Sequence, residues 1–178
     1  MNPPAALLAR LRDRLLETGY TTEGVRRRLG DVAAAALARE ELVPALRATA
    51  AEEPLDALVR LWWLGRAVDV ARLDLPVTDL LEAGLLERAP GEPGTAEGVF
   101  VRATVQLQPW DADGVPGYLV SDRKVRPGDP ALRADHVVGA GGASASLAQL
   151  ATRRPVERAL DLGTGCGVQV LHLAQRAR

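Results

Sequence analysis

Cysteine is almost missing from this 178-residue chain. Cys166 stands alone, which excludes an intrachain disulfide and any metal site built on several thiolates. Histidine is nearly as scarce. His136 and His172 lie far apart without ligand-like spacing, so no zinc site is expected. Lysine is reduced to Lys124 among 22 basic residues. Together with the many alanines and glycines, this reads as codon bias of a GC-rich genome and not as phosphate recognition. The formal net charge of −1 gives no global attraction to nucleic acid or to an anionic membrane. No apolar run is long enough to span a bilayer, so no membrane partner is expected. Arg10, Arg12, Asp13 and Arg14 interrupt the N-terminal apolar run, which argues against a signal peptide. The expected location is cytoplasmic. No internal repeat is present.

What remains is a globular composition, 47% hydrophobic and 25% charged. The first part reads as helices. Pro3 and Pro4 open one with Leu8, Leu11 and Leu15 on one face and Leu7 beside them, ended by Gly19. Thr22 reads as the N-cap of a helix to Leu29, stopped by Gly30. Asp31 caps the next, to about Arg39. Arg26, Arg27 and Arg28 read as a solvated face, with phosphate contact the alternative. A helix over 42–49 follows. Another starts at Pro54, with Leu55, Leu58, Val59 and Trp62 as its apolar stripe and Trp63 continuing it. One of the two tryptophans is expected in the core, and a base-stacking role is the alternative. Residues 68–73 read as a short helix, and Pro76 starts the next.

A loop with Pro90, Gly91, Pro93 and Gly94 leads to a strand over 99–107. After a turn near Asp113-Gly114, Tyr118-Leu119-Val120 reads as its partner. Helices followed by such a hairpin resemble a winged helix. Its helix before the strands carries Asp79 and Glu82 and no basic residue before Arg88, which opposes contact with DNA phosphates. A substrate-docking or packing module is therefore expected, with DNA an unlikely partner. Lys124 to Pro130 reads as a linker, dividing residues 1–128 from residues 129–178. Beyond it, 147–151 reads as a helix that Arg153-Arg154-Pro155 breaks.

The most informative stretch is Ala159-Leu160-Asp161-Leu162-Gly163-Thr164-Gly165-Cys166-Gly167. An apolar run enters a glycine turn, and a helix-like run, Val168 to Arg178, leaves it. Glycine permits positive φ and close backbone approach to a ligand. The following helix offers unpaired N–H groups and a positive dipole end. A dinucleotide fingerprint requires Gly or Ala where Val168 stands, which disfavours a nucleotide-dependent oxidoreductase.

The Asp-x-Gly-x-Gly-x-Gly pattern resembles the first motif of the Rossmann-like methyltransferases that use S-adenosylmethionine. The resemblance covers about Ala159 to Ala177. It implies that Asp161, Gly163, Gly165 and Gly167 line the methionine end of the cofactor, Asp161 holding its ammonium group. Thr164 and Cys166 would offer backbone groups and a little polar surface. The wording is closest to the HemK-like and related N-methyltransferases, where a threonine in a polar loop ahead of the motif lies near the cofactor. Ser144 occupies a similar place, although Ala145 stands where those enzymes carry an acidic residue.

The implied fold is a mainly α, winged-helix-like N-terminal domain with a β-hairpin, followed by the first β-α unit of an α/β Rossmann-like methyltransferase domain. The implied activity is methyl transfer to an amide or amino nitrogen of a protein, such as a release factor, or of RNA. The chain extends eleven residues past Gly167. The family's ribose-binding acidic residue and its Asn-Pro-Pro-Tyr type motif come later than that. The expectation is therefore an N-terminal part with half a cofactor site and no catalytic residue. The reading from another class is a regulatory winged-helix protein whose glycine turn binds nothing.

Overall fold

The computed structural model describes residues 3–51, 53–91, 97–124 and 132–178. Its architecture is α+β, with helices and small antiparallel sheets. The chain divides into two compact units, residues 1–105 and 106–178.

In the first unit, α1 (Ala5–Glu17) buries Leu7, Leu11 and Leu15, which lie four apart on one stripe. Leu8, expected on that face, is 44% exposed. Gly19 ends α1 at φ +76°, and Tyr20 N–H donates to Leu15 O while Gly19 N–H donates to Leu16 O. This is the Schellman arrangement, with Tyr20 sealed beneath it. The N-cap of α2 (Thr22–Ala38) is Thr21, one residue earlier than the sequence suggests: its hydroxyl accepts from Gly24 N–H at 3.0 Å. Gly30, at φ 72° and ψ 166°, kinks α2 into the two expected halves.

Next come α3 (Val43–Ala48) and α4 (Pro54–Leu58), the latter running into a π-helical turn over Val59–Trp63. Arg60 closes the C-terminal end of α3, donating to Thr49 O at 2.9 Å and Leu46 O at 3.0 Å. Trp62 is buried with Val59, Leu61 and Leu64, whereas Trp63 is half-buried. Of the three arginines of α2, Arg26 and Arg27 form the expected solvated face and Arg28 turns inward. Arg26 pairs with Asp31, Arg27 with Glu23, and Arg28 reaches Asp56 at 2.7 Å. Asp56 is fully buried and also accepts from Glu53 N–H as half of a capping box.

Of the short helix expected over residues 68–73, only Val70–Arg72 is helical. Val68 and Asp69 form β1 by pairing with Val101 and Phe100, and a 3-10 turn follows over Val70–Arg72. Asp69 fixes that turn by accepting from Ala71 N–H at 3.0 Å. The run 99–107 is two strands, β3 (Phe100–Ala103) and β4 (Val105–Ala112), broken at Thr104. Thr104 N–H and its hydroxyl turn back to Leu85 O and Gly84 O. β3 pairs with β2 (Leu86–Ala89), which follows α5 (Val77–Glu82), so the sheet order is β1-β3-β2. Leu86, Val101 and Ala103 face inward, and outward Glu87 meets Arg102 at 2.7 Å. The hairpin expected from 99–107 with 118–120 therefore belongs to β4 alone. The loop expected around Pro93 and Gly94, and the linker beyond Lys124, lie outside the described residues.

In the second unit, β4 pairs with β5 (Val115–Asp122) across the two residues Asp113 and Gly114, at φ 56° and 86°. Two successive left-handed residues match the twist of a two-residue hairpin, as the Asp-Gly pair predicts. Two helices follow, α6 (Gly142–Leu150) and α7 (Val168–Ala174). α7 is shorter than the expected 168–178. Residues 158–162 form no strand: the only pairing nearby is an isolated parallel bridge, Val156 with Ala177. A strand is stabilised by its neighbours, and this run has none among the described residues. Leu160 and Leu162 stand 79% and 83% exposed. Among the described residues, no helix is long and apolar enough to cross a membrane.

Candidate functional site

The glycine turn is a sharp reversal into α7. Gly163, Gly165 and Gly167 lie at φ +74°, +55° and +84°, a region that side chains with a Cβ seldom enter. Gly167 N–H donates to Thr164 O at 2.9 Å, and Gly167 O accepts from Leu171 N–H at 3.1 Å, so the turn runs straight into the helix. The Thr164 hydroxyl donates to Asp161 O at 3.3 Å. A Cβ added at Gly163 or Gly167 would meet nothing within 4 Å. Backbone conformation, not packing, demands these glycines, and the space beside them is open. Cys166 is a half-buried thiol between two of them.

Asp161 enters this turn with an orphaned atom. Its Oδ2 is buried and has no hydrogen-bond partner. Leaving a buried acceptor unmade costs about 1–3 kcal/mol, and more for a charged group. A cationic donor would remove that cost. One carboxylate oxygen without a partner, with a glycine backbone beside it, is compatible with a cationic ligand group.

Ser144 is tied to the first turn of α7. α6 packs on α7, and Gln169 Nε2, in the first turn of α7, donates to Ser144 O at 3.0 Å. The tie runs through the Ser144 backbone, leaving its half-buried hydroxyl outside that bond. The loop before α6 is itself held to β5, where Val137 N–H donates to Asp122 Oδ2 at 2.8 Å.

Behind the turn lies a polar cluster that the sequence reading overlooked. Trp110 on β4 donates its indole N–H to His172 Nε2 on α7 at 3.0 Å. Asp113 in the hairpin turn pairs with Arg176 through Oδ2 and with Arg153 through Oδ1 at 2.7 Å. Arg176 also donates to Thr152 O at 2.6 Å. The Arg176 hydrogen bond holds the Asp113 carboxyl below its ordinary range; burial opposes it, and His172 and Arg153 assist. One signal was available in sequence: His172 and Arg176 are four apart and share a face. Among the described residues, no three His, Cys, Asp or Glu converge as a metal site.

Residues 17–97 match the family model of a domain of unknown function (DUF7059). That span runs from the end of α1 to the residues before β3, within the first unit, and does not include the glycine turn. No curated protein and no solved structure matches the chain.

Proposed function

We propose that Asp161 to Gly167 forms the methionine-end portion of an S-adenosylmethionine site, and that the chain belongs to a methyltransferase acting on an amide or amino nitrogen of a protein or RNA. The observation that carries this reading is the buried, unpartnered Asp161 Oδ2 two residues before a turn of three left-handed glycines, of which Gly163 and Gly167 border open space. The cofactor supplies an electrophilic methyl group. The protein's part is to hold and orient it and to keep water away. Asp161 accepts from the ammonium, and the glycines let the backbone approach. The Gln169 bond to Ser144 keeps α6 beside the first turn of α7.

The first unit then serves as a docking or packing module of winged-helix type. β1 precedes α5, the β2–β3 pair follows it, and β3 lies central in the sheet, an arrangement that supports this reading. Two observations weigh against DNA as its partner. Asp79 of α5 is paired with Arg10, and the arginines of α2 are engaged with acidic residues.

The test is an amide-resolved NMR titration of the chain with S-adenosylmethionine, competed by S-adenosylhomocysteine. Shifts should concentrate at Asp161, Gly163, Gly165 and Gly167. Asp161→Asn should weaken binding by about 1.5–3 kcal/mol, the worth of a charge-assisted hydrogen bond. Gly165→Val should abolish it by closing the φ +55° conformation. Unmoved glycine amides at millimolar cofactor would refute the proposal. Stronger shifts with a nicotinamide dinucleotide would replace it with the oxidoreductase reading.

A further inference from the structure

We propose that Gln169 is a positioning residue of the glycine-turn site: its hydrogen bond fixes the first turn of α6, and so decides where the Ser144 hydroxyl stands for the ligand. This inference rests on the cofactor site proposed above. Gln169 lies two residues past Gly167, in the first turn of α7. Its side chain crosses to α6, where Nε2 donates to Ser144 O at 3.0 Å. A carbonyl oxygen only accepts, so the nitrogen end of the amide must face it. A carbonyl also has two lone pairs, so Ser144 O can take this bond together with one from within α6.

Little else holds α6. Of its 9 residues only Ala148 is buried, and Leu147 and Leu150 stand 56% and 84% exposed. Its N-cap, Gly141, supplies no side-chain bond. Among the described residues, the Gln169 bond is the only hydrogen bond that joins α6 to another element. A helix this short is marginal by itself, so its contacts decide where it forms. The bond uses the Ser144 carbonyl and leaves the hydroxyl aside. That hydroxyl belongs to a half-buried residue and makes no hydrogen bond among the described residues, so it can donate to a ligand or accept from one. Gln169 thus acts on the ligand through Ser144 and not by touching it.

S-adenosylmethionine is titrated into the full chain and its variants by amide-resolved NMR. Gln169→Met keeps the length and helix propensity of the side chain and removes the donor. It should weaken binding about three- to tenfold, the net worth of one hydrogen bond. Amide protection should fall in α6 while α7 keeps its own. Ser144→Ala should weaken binding by a similar factor with α6 protection unchanged. The two losses should not multiply: the double variant should bind within about twofold of Ser144→Ala, the scatter expected of independent measurements. A merely structural Gln169 would give independent losses. Gln169→Ala, with the strongest helix former, replaces the Met variant if that one does not fold. Four results would overturn this role and leave the site itself standing: wild-type affinity in Gln169→Met, unchanged α6 protection there, wild-type affinity in Ser144→Ala, or losses that multiply. Glycine amides that the cofactor leaves unmoved in the wild type would remove the site, and this role with it.

Discussion

The two units bury different chemistry. The first is sealed by apolar side chains: Trp62, Tyr20, Leu15, Leu61, Leu64 and Leu80 are all but inaccessible. Its buried polar groups, Asp56 and Thr49, serve helix ends. The second places Gln106, Ser121, His172 and Arg176 among its buried residues, while Leu147, Leu150, Leu160 and Leu162 stand exposed. The first resembles a domain core. The second holds its helices with a charged network and leaves leucines at the surface. The contrast predicts that the first unit responds to lost volume and the second to lost charge.

The largest effect should come from Trp62→Ala, which should cost about 3–5 kcal/mol in chemical denaturation. Trp63→Ala should cost distinctly less, because Trp63 is only half-buried. Equal losses would mean that Trp62 does not anchor this core. Gly24→Ala comes next. A Cβ there would lie 2.1 Å from Gly19 O, a backbone atom that cannot move without breaking the end of α1. Overpacking of this kind costs about 1–3 kcal/mol. A neutral Gly24→Ala would show that the α1–α2 junction opens readily to admit a methyl group.

The second unit should instead be sensitive to acid. Asp113 has a lowered carboxyl pKa in the folded chain, chiefly through Arg176. Its contribution is therefore fully present above the unfolded carboxylate value, about 3.9, and disappears as pH falls through the lower folded value. Asp113→Asn should flatten the loss of α7 protection below about pH 4. It should leave the first unit's transition unchanged. Persistence of the steep acid response in Asp113→Asn would assign it to other carboxylates.

Local features of both units were legible in sequence, and distant ones were not. Gly19, Gly30, the Asp113-Gly114 turn and the three glycines of the site each announce a backbone conformation through one residue's chemistry. Strand partners do not. β3 chooses β1 and β2, neither longer than four residues, through registers such as Val68 with Val101. No alternation over two to four residues discloses such a choice. The apolar period of 68–73 fits a helix as well as a strand, and tertiary pairing decided it. The same limit applies at the site. Asp161 and its glycines are contiguous and readable, whereas Gln169 meets Ser144 across 25 residues and Trp110 meets His172 across 62.

The smallest expected effect tests the apolar surface of the second unit. Leu160 and Leu162 flank Asp161 and are 79% and 83% exposed, so neither contributes burial to the described fold. Replacing both with serine should change the stability of the chain by no more than about 0.5 kcal/mol per site, as for other exposed positions. It should nonetheless change how the chain associates. Two exposed leucines on a run that joins no sheet among the described residues present a sticky face to other chains. Sedimentation at rising concentration should show less self-association in Leu160→Ser/Leu162→Ser than in the wild type, with the cofactor-titration shifts at the glycine amides retained. A loss of several kcal/mol in the double variant would mean that these side chains are packed in solution. The second unit would then resemble the first far more closely than its open turn suggests.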